Sequence, residues 1–276
     1  MFFSNVNEAP KDPILGLSDD FNKDQNPNKV NLAVGVYQDD NGKTTTFESV
    51  LEAEKILLDM NVPKSYKPID GDKEFILKSM DMIVGEEILN NKQIFPIGLN
   101  TPGGTGALKL VSEFLNIFSS KASIWLSNPT WANHKPIFES SGFKTFEYEY
   151  FDKSKNTIDF TQMINSVKKI PSGDIIVLHG CCHNPTGCDL NDEQWKELAL
   201  LIKKKNIIPI CDFAYQGLAD GVDKDASGVR IMCETLDDLF ICSSNSKNFG
   251  LYSERVGNLI YTTNDEKKSE KVLSQL

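Results

Sequence analysis

The stretch "DIIVLHGCCHNPTGCDLNDEQWKELALLIKKKNIIPICDFAYQG", Asp174 to Gly217, decides the fold class. Its first part, "DIIVLHGCC", carries an unbroken branched-apolar run, the pattern of a strand buried on both faces. "NDEQWKELALLIKKKN" then spaces apolar residues at helical intervals, with acids in its first turn and lysines in its last, where the helix dipole favours each. "IIPICDFAYQG" is a second apolar strand. A strand, an amphipathic helix and another buried strand in succession describe a parallel pair joined by a crossover helix.

The same alternation extends outward in both directions. "QIFPIGLNTPGGTGALKLVSEFLNIF" reads as a strand, a glycine turn and a helix, and "ASIWLSNPTW" as a strand with a proline at its exit. "NHKPIFESSGF" reads as helical, "FKTFEYEYF" as extended, "DFTQMINSVKKI" as helical, and "DLFICSSNSK" and "VGNLIYTT" as strands. Upstream, "TFESVLEAEKILLDM" has helical spacing, "KVNLAVGVYQDDNGK" predicts a strand ending in an Asn-Gly turn, and "DPILGLSDDFNKD" a short amphipathic helix. Pro10 and Pro13 keep the first dozen residues extended as an arm. No internal repeat or low-complexity linker interrupts the pattern. The expected fold is α/β: a three-layer α/β/α arrangement around a mostly parallel central sheet.

Composition narrows the function. The 276 residues are 40% apolar and 25% charged, as in ordinary globular proteins. The net charge of −10 argues against general nucleic-acid or anionic-membrane binding. Apolar runs are too short to span a bilayer, and the N-terminus has neither a signal h-region nor an arginine-rich presequence. A cytoplasmic location is expected. Of the six cysteines, Cys181, Cys182 and Cys188 cluster near His179 and His183, whereas Cys211, Cys233 and Cys242 fall in or near apolar runs. No C-x-x-C pair exists, and adjacent cysteines do not easily ligate one metal, so reduced thiols and no metal are expected. Basic residues are lysine by default. The only arginines, Arg230 and Arg255, stand out because a guanidinium grips phosphate or carboxylate bidentately.

In open parallel sheets, ligands gather at the carboxyl ends of the strands. Polar clusters follow the apolar strands at Thr101–Thr105, Asn128–His134, His179–Asn184, Asp212–Tyr215 and Ser243–Lys247. "GGTGAL", Gly103 to Leu108, ends a strand and opens a helix, so its free N–H groups and the Thr105 hydroxyl suit a phosphate. Ser244, Ser246 and Arg255 can add donors. Asp212, at a buried strand end, needs a cationic or hydrogen-bonding partner, and Tyr215 lies three residues on. Trp131 offers a flat apolar face. Together these groups fit a phosphorylated aromatic cation bearing an aldehyde: Lys247 forms the imine, the hydroxyls and Arg255 hold the phosphate, Trp131 stacks, and Asp212 pairs with the ring nitrogen. That ligand is pyridoxal 5′-phosphate.

The segments "SNSKNFGLYSERVGNL", "HGCCHNPTG", "DFAYQGLADG", "TPGGTGAL", "SNPTWANHKPIF" and "APKDPILGL" closely resemble those of the bacterial-type aspartate aminotransferases, a branch of the fold-type I pyridoxal phosphate enzymes, in order and spacing along the whole chain. The resemblance implies a large cofactor-binding domain over 46–276, preceded at 1–45 by an arm and the N-terminal part of a small domain. It implies Lys247 as Schiff-base lysine and proton-transferring base, Asp212 as partner of the pyridine nitrogen, and Tyr215 and Asn184 as partners of the ring's phenolic oxygen. Gly103, Gly104, Thr105, Ser244, Ser246 and Arg255 would form the phosphate site, with His134 behind Asp212. Trp131, Asn184 and the backbone of Gly35 would approach the substrate carboxylate. Tyr66 would reach the phosphate of a partner subunit, so a homodimer is implied, with amino acids and 2-oxo acids as substrates.

Asn245 departs from that pattern, standing where the family usually carries an aromatic. The family's fold continues well beyond the equivalent of Leu276, through the arginines that grip both substrate carboxylates, and neither Arg230 nor Arg255 occupies those positions. The chain is therefore expected to be a piece with the cofactor machinery and without the dicarboxylate selector. The alternatives are an aromatic amino acid aminotransferase and a truncated, non-catalytic relative that binds the cofactor or dimerises.

Overall fold

The computed structural model describes residues 4, 6–7, 17, 20–30 and 35–276. They fall into two units, Met1–Thr46 and Phe47–Leu276. In the first unit, residues 20–23 are helical, and Lys29 Nζ donates to the carbonyls of Phe21 and Asp24 at 2.6 and 2.7 Å. The expected Asn-Gly turn is present, with the Gly42 N–H donating to the Asp39 carbonyl at 2.8 Å. The strand expected before it lies partly outside the described residues, and 35–39 are irregular. Most of the helix expected over 12–24 also lies outside them.

The second unit opens with α1 (Glu48–Met60), α2 (Lys73–Val84) and the one-turn α3 (Glu86–Leu89). Strands and helices then alternate through β1 (Ile97–Pro102), α4 (Gly103–Phe118), β2 (Ser123–Asn128), α5 (His134–Glu139) and β3 (Lys144–Glu149). A small hairpin of β4 (Phe151–Asp152) and β5 (Thr157–Ile158) leads into α6 (Phe160–Val167), β6 (Ile175–His179), α7 (Asp192–Lys205) and β7 (Ile208–Phe213). The unit closes with α8 (Val222–Asp225), α9 (Ser227–Thr235), β8 (Asp238–Ser244), β9 (Val256–Thr263) and α10 (Glu266–Gln275).

Local chemistry sets the helix ends. A capping box closes the start of α7: the Asn191 side chain accepts the Gln194 N–H, and the Gln194 side chain accepts the Asn191 N–H. Asp192 and Glu193 occupy its first turn, and Lys203 to Lys205 its last. The Asp72 side chain caps α2 by accepting the Glu74 and Phe75 N–H groups, and the Asp159 side chain caps α6 by accepting the Gln162 N–H.

Seven strands form one sheet in the order β1-β9-β8-β7-β6-β2-β3. The pairs β2/β3, β2/β6, β6/β7 and β7/β8 are parallel, and only β9 runs against its neighbours. Alternation along each strand divides the core between two faces. Ile176, Leu178, Cys211, Phe213, Leu239 and Ile241 pack against α2, α6, α7 and α9. Ile175, Val177, Ile210, Phe240 and Cys242 pack with Ala107, Leu108, Val111 and Leu115 of α4 and Phe138 of α5. Burial on both faces explains why these strands read as continuous apolar runs, and it gives the expected α/β/α layers.

Candidate active site

Register lines up the strand ends. His179 on β6 pairs with Asp212 on β7, Asp212 with Cys242 on β8, and Ser244 on β8 with Gly257 on β9. The polar clusters at the ends of β1, β2, β6, β7 and β8 therefore share one edge of the sheet.

At the β1–α4 junction the backbone turns through Gly103, at φ +72°. A Cβ there would meet Arg255 Nη2 at 2.9 Å, and one on Gly104 would meet the Ser244 Cβ at 3.2 Å. The glycines thus let the first turn of α4 approach the guanidinium and the serines. Arg255 Nη1 donates to Ser246 Oγ at 3.4 Å and to the Tyr252 carbonyl at 3.1 Å, and the Ser246 N–H donates to Ser244 Oγ at 3.3 Å. Ser244 and Ser246 are buried, whereas Thr105 and Arg255 are exposed. The result is a concave set of hydroxyls, amides and a cation at a helix N-terminus, chemically suited to an anion.

Asp212 sits beside this cradle. Its Oδ2 lies 2.9 Å from Nε2 of the fully buried His134. The Asn184 N–H donates to His179 Nδ1 at 3.3 Å, so His179 carries its proton on Nε2, 3.2 Å from Thr130 Oγ1. Thr130 Oγ1 in turn lies 2.8 Å from His134 Nδ1. We assign the donor order Asn184 N–H, His179 Nε2–H, Thr130 Oγ1–H, His134 Nε2–H, ending on Asp212. Burial, then the nearby His183 and His134, holds the His179 pKa well below its usual value, which fits the neutral form.

Lys247 Nζ lies 5.0 Å from the centroid of the Tyr215 ring. Burial lowers its pKa, Arg255 lowers it further, and Asp212 opposes both. Burial, reinforced by Asp212, raises the pKa of Tyr215. Asn184 Nδ2 stands 3.5 Å from the Tyr215 hydroxyl. The loop after Tyr215 is tied down by Asp225, whose carboxylate accepts the N–H groups of Gly217, Ala219 and Asp220 at 2.8, 3.1 and 2.8 Å.

The structure thus brings together Asp212, His134, Tyr215, Asn184 and Lys247 with Gly103, Gly104, Ser244, Ser246 and Arg255. Trp131 packs edge-on against His134, ring centroids 5.3 Å apart. Tyr66 is fully exposed in the segment before α2, and Gly35 belongs to the first unit. Thr130 and His179 were not singled out by sequence. Their signal was membership of the polar clusters after β2 and β6. The two arginines diverge: Arg230 donates to the carbonyls of Met82 and Ile83 and to Asp223, as a structural clamp.

A family model described as aminotransferase class I and II matches residues 27–276. The aspartate aminotransferase of Escherichia coli (strain K12) is 44% identical over 276 residues, 99% of this chain and 69% of that protein. The aromatic-amino-acid aminotransferase of Pseudomonas aeruginosa is 39% identical over 274 residues, 99% of this chain and 68% of that protein. Among solved structures, the aromatic-amino-acid aminotransferase of Burkholderia pseudomallei, covalently bound to pyridoxal phosphate, superposes with a TM-score of 0.95 at 39% identity, covering 100% of this chain and 69% of that one.

Proposed function

Because the chain belongs to the class I and II aminotransferase family, we propose that it moves an amino group between L-aspartate and 2-oxoglutarate, giving oxaloacetate and L-glutamate, with pyridoxal 5′-phosphate as cofactor. The residues fit that group. The Gly103–Gly104 turn leaves room where a side chain would collide with Arg255 and Ser244, and the donors there match a phosphate. When bound, the cofactor supplies an electron sink that makes the Cα–H of an amino acid acidic enough to remove.

The chain's own groups have separable tasks. Gly103, Gly104, Thr105, Ser244, Ser246 and Arg255 bind the phosphate. Asp212, oriented by His134, would pair with the ring nitrogen, and Trp131 would cover the ring. Tyr215 and Asn184 would hydrogen-bond the phenolic oxygen. Lys247 would hold the cofactor through its Nζ amine and, once freed, its Nζ would take the proton from the substrate Cα. Its lowered pKa leaves more free amine for that task near neutrality than an ordinary lysine has. Trp131 and Asn184 would approach the substrate carboxylate. We assign 46–276 as the cofactor-binding domain and 1–45 as the arm and start of a small domain.

The observation that carries this reading is the convergence of Asp212, Tyr215 and Lys247 beside the glycine cradle. Its test is visible-range absorption after adding pyridoxal phosphate, with an assay for oxaloacetate from L-aspartate and 2-oxoglutarate. The band should form, and should vanish in Lys247→Ala. No band in the unchanged chain sinks the reading. A band without turnover favours a cofactor-binding chain lacking the substrate selector, since Arg230 is committed to Met82, Ile83 and Asp223. Faster turnover of L-tyrosine than L-aspartate favours the aromatic reading, which the Pseudomonas and Burkholderia relatives support.

A homodimer is part of the proposal. Leu51, Ile56, Leu57, Leu58 and Met60 on α1, and Val62, Tyr66 and Ile69 after it, are exposed. These exposed apolar side chains, set among charged ones, offer a surface for a second copy to cover, and Tyr66 would contact that partner. Sedimentation of the chain checks this. No helix among the described residues is long and apolar enough to cross a membrane. Six free cysteines fit a cytoplasmic setting.

A further inference from the structure

Extended backbone sends neighbouring side chains to opposite faces, so a Cys-Cys pair is ordinarily a poor chelate. Cys182 is not extended. Its φ of +47° is left-handed and turns its thiol back toward that of Cys181. Both Sγ atoms and a carboxylate oxygen of Asp225 lie within 4.8 Å of one another, the one such group of potential metal ligands among the described residues.

The surroundings suit a cation. Cys181, Asp189, Asp220 and Asp225 share the lining of a cavity of about 410 Å³. The positive charge there, Lys224, is paired with Asp220 at 3.0 Å. Asp225 accepts two N–H groups at Oδ2 and one at Oδ1, leaving lone-pair capacity of about one site on Oδ1. Cys182 is half-buried, so the pair is reachable, whereas Cys181 is buried.

The geometry points to Cys181 Sγ, Cys182 Sγ and an Asp225 oxygen as the donor set for one thiophilic divalent d¹⁰ cation of the zinc–cadmium class. Bonds of about 2.3 Å to sulfur and 2.0–2.2 Å to oxygen put tetrahedral donors roughly 3.5–3.8 Å apart, a contraction that rotation of the thiols supplies. Binding releases both thiol protons to solvent, and water completes the coordination. Soft thiolates select this class over magnesium or calcium. The site lies behind the candidate active site, with Cys182 Sγ 4.0 Å from the Tyr215 carbonyl oxygen. It does not depend on the aminotransferase reading.

The test titrates the full chain with cadmium alone. A thiolate-to-cadmium ultraviolet band should saturate at one equivalent, be lost in Cys181→Ser and in Cys182→Ser, and persist in Cys188→Ser, which removes the other half-buried thiol. Because the serine variants can disturb folding, the unchanged chain is also alkylated with iodoacetamide and read by mass spectrometry. Cadmium should slow Cys182 alkylation at least tenfold and leave Cys188 unaffected. A Cys182 rate unmoved by cadmium, equal protection of Cys188, or a band that survives both serine substitutions overturns the proposal.

Discussion

His134 Nε2 stands 2.9 Å from Asp212 Oδ2, with the histidine wholly buried and the carboxylate at the end of β7. Removing one partner of such a charge-assisted bond costs about 1.5–3 kcal/mol. His134→Ala should therefore weaken pyridoxal phosphate binding roughly 10- to 150-fold by the same figure, measured by titrating cofactor-free chain. Unchanged affinity would show that Asp212 is positioned without the histidine.

The donor order assigned through Thr130 is observable directly. In ¹⁵N-labelled chain, both His179 and His134 should carry the proton on Nε2. Thr130→Val should shift the His134 and His179 signals together. A proton on His179 Nδ1 would contradict the Asn184 N–H contact that sets the order.

Lys247 has a pKa lowered from 10.5 by burial, further lowered by Arg255 and opposed by Asp212. Arg255→Gln should move its apparent pKa up and Asp212→Asn should move it down, read as the pH dependence of Lys247 acylation in cofactor-free chain. Between the lowered value and 10.5 the unfolded chain binds more protons at this site. The Lys247 contribution to stability therefore rises with pH across that window.

His183 has its pKa lowered to about 4, chiefly by burial, while it stacks on Tyr150 and lies 2.9 Å from both Ser127 Oγ and Thr186 Oγ1. Its folded value lies below the unfolded 6.5, so stability is fully present above about pH 6.5 and declines as pH falls toward 4. The shift corresponds to about 3 kcal/mol. Urea midpoints measured from pH 7 to 4 should fall, and His183→Gln should flatten that slope. A slope identical in the variant would assign acid sensitivity elsewhere.

A Cβ on Gly257 would lie 2.6 Å from the Gly103 carbonyl carbon and closer still to the Ser243 carbonyl oxygen. Gly257→Ala should destabilise by about 1–3 kcal/mol through forced backbone shifts. It should also loosen cofactor binding, since Gly103 opens the anion cradle. Thermal midpoints and cofactor titration check both effects.

Much of the fold is legible in local pattern. Ile175–Leu178 and Ile207–Cys211 read as buried strands because both faces are covered, and "NDEQWKELALLIKKKN" carries its capping box and end charges in the sequence. Polar residues after those strands marked the site edge. Less legible were Thr130 and His179, ordinary turn and strand-end residues until register sets His179 beside Asp212. Arg230 and Arg255 were equally conspicuous as rare arginines, yet only one stands at the candidate site.

By itself the sequence determined the alternation of elements, the chemistry available at each strand end and the glycine turn that opens α4, because these depend on neighbours along the chain. Tertiary structure alone decided the rest. The insertion of antiparallel β9 between β1 and β8 brings Arg255 over Gly103, and parallel register brings Lys247 to Tyr215 and His134 to Asp212. A single left-handed residue, Cys182, turns two adjacent thiols to one side. Such contacts join residues distant in sequence or depend on one backbone angle, and no local periodicity encodes either.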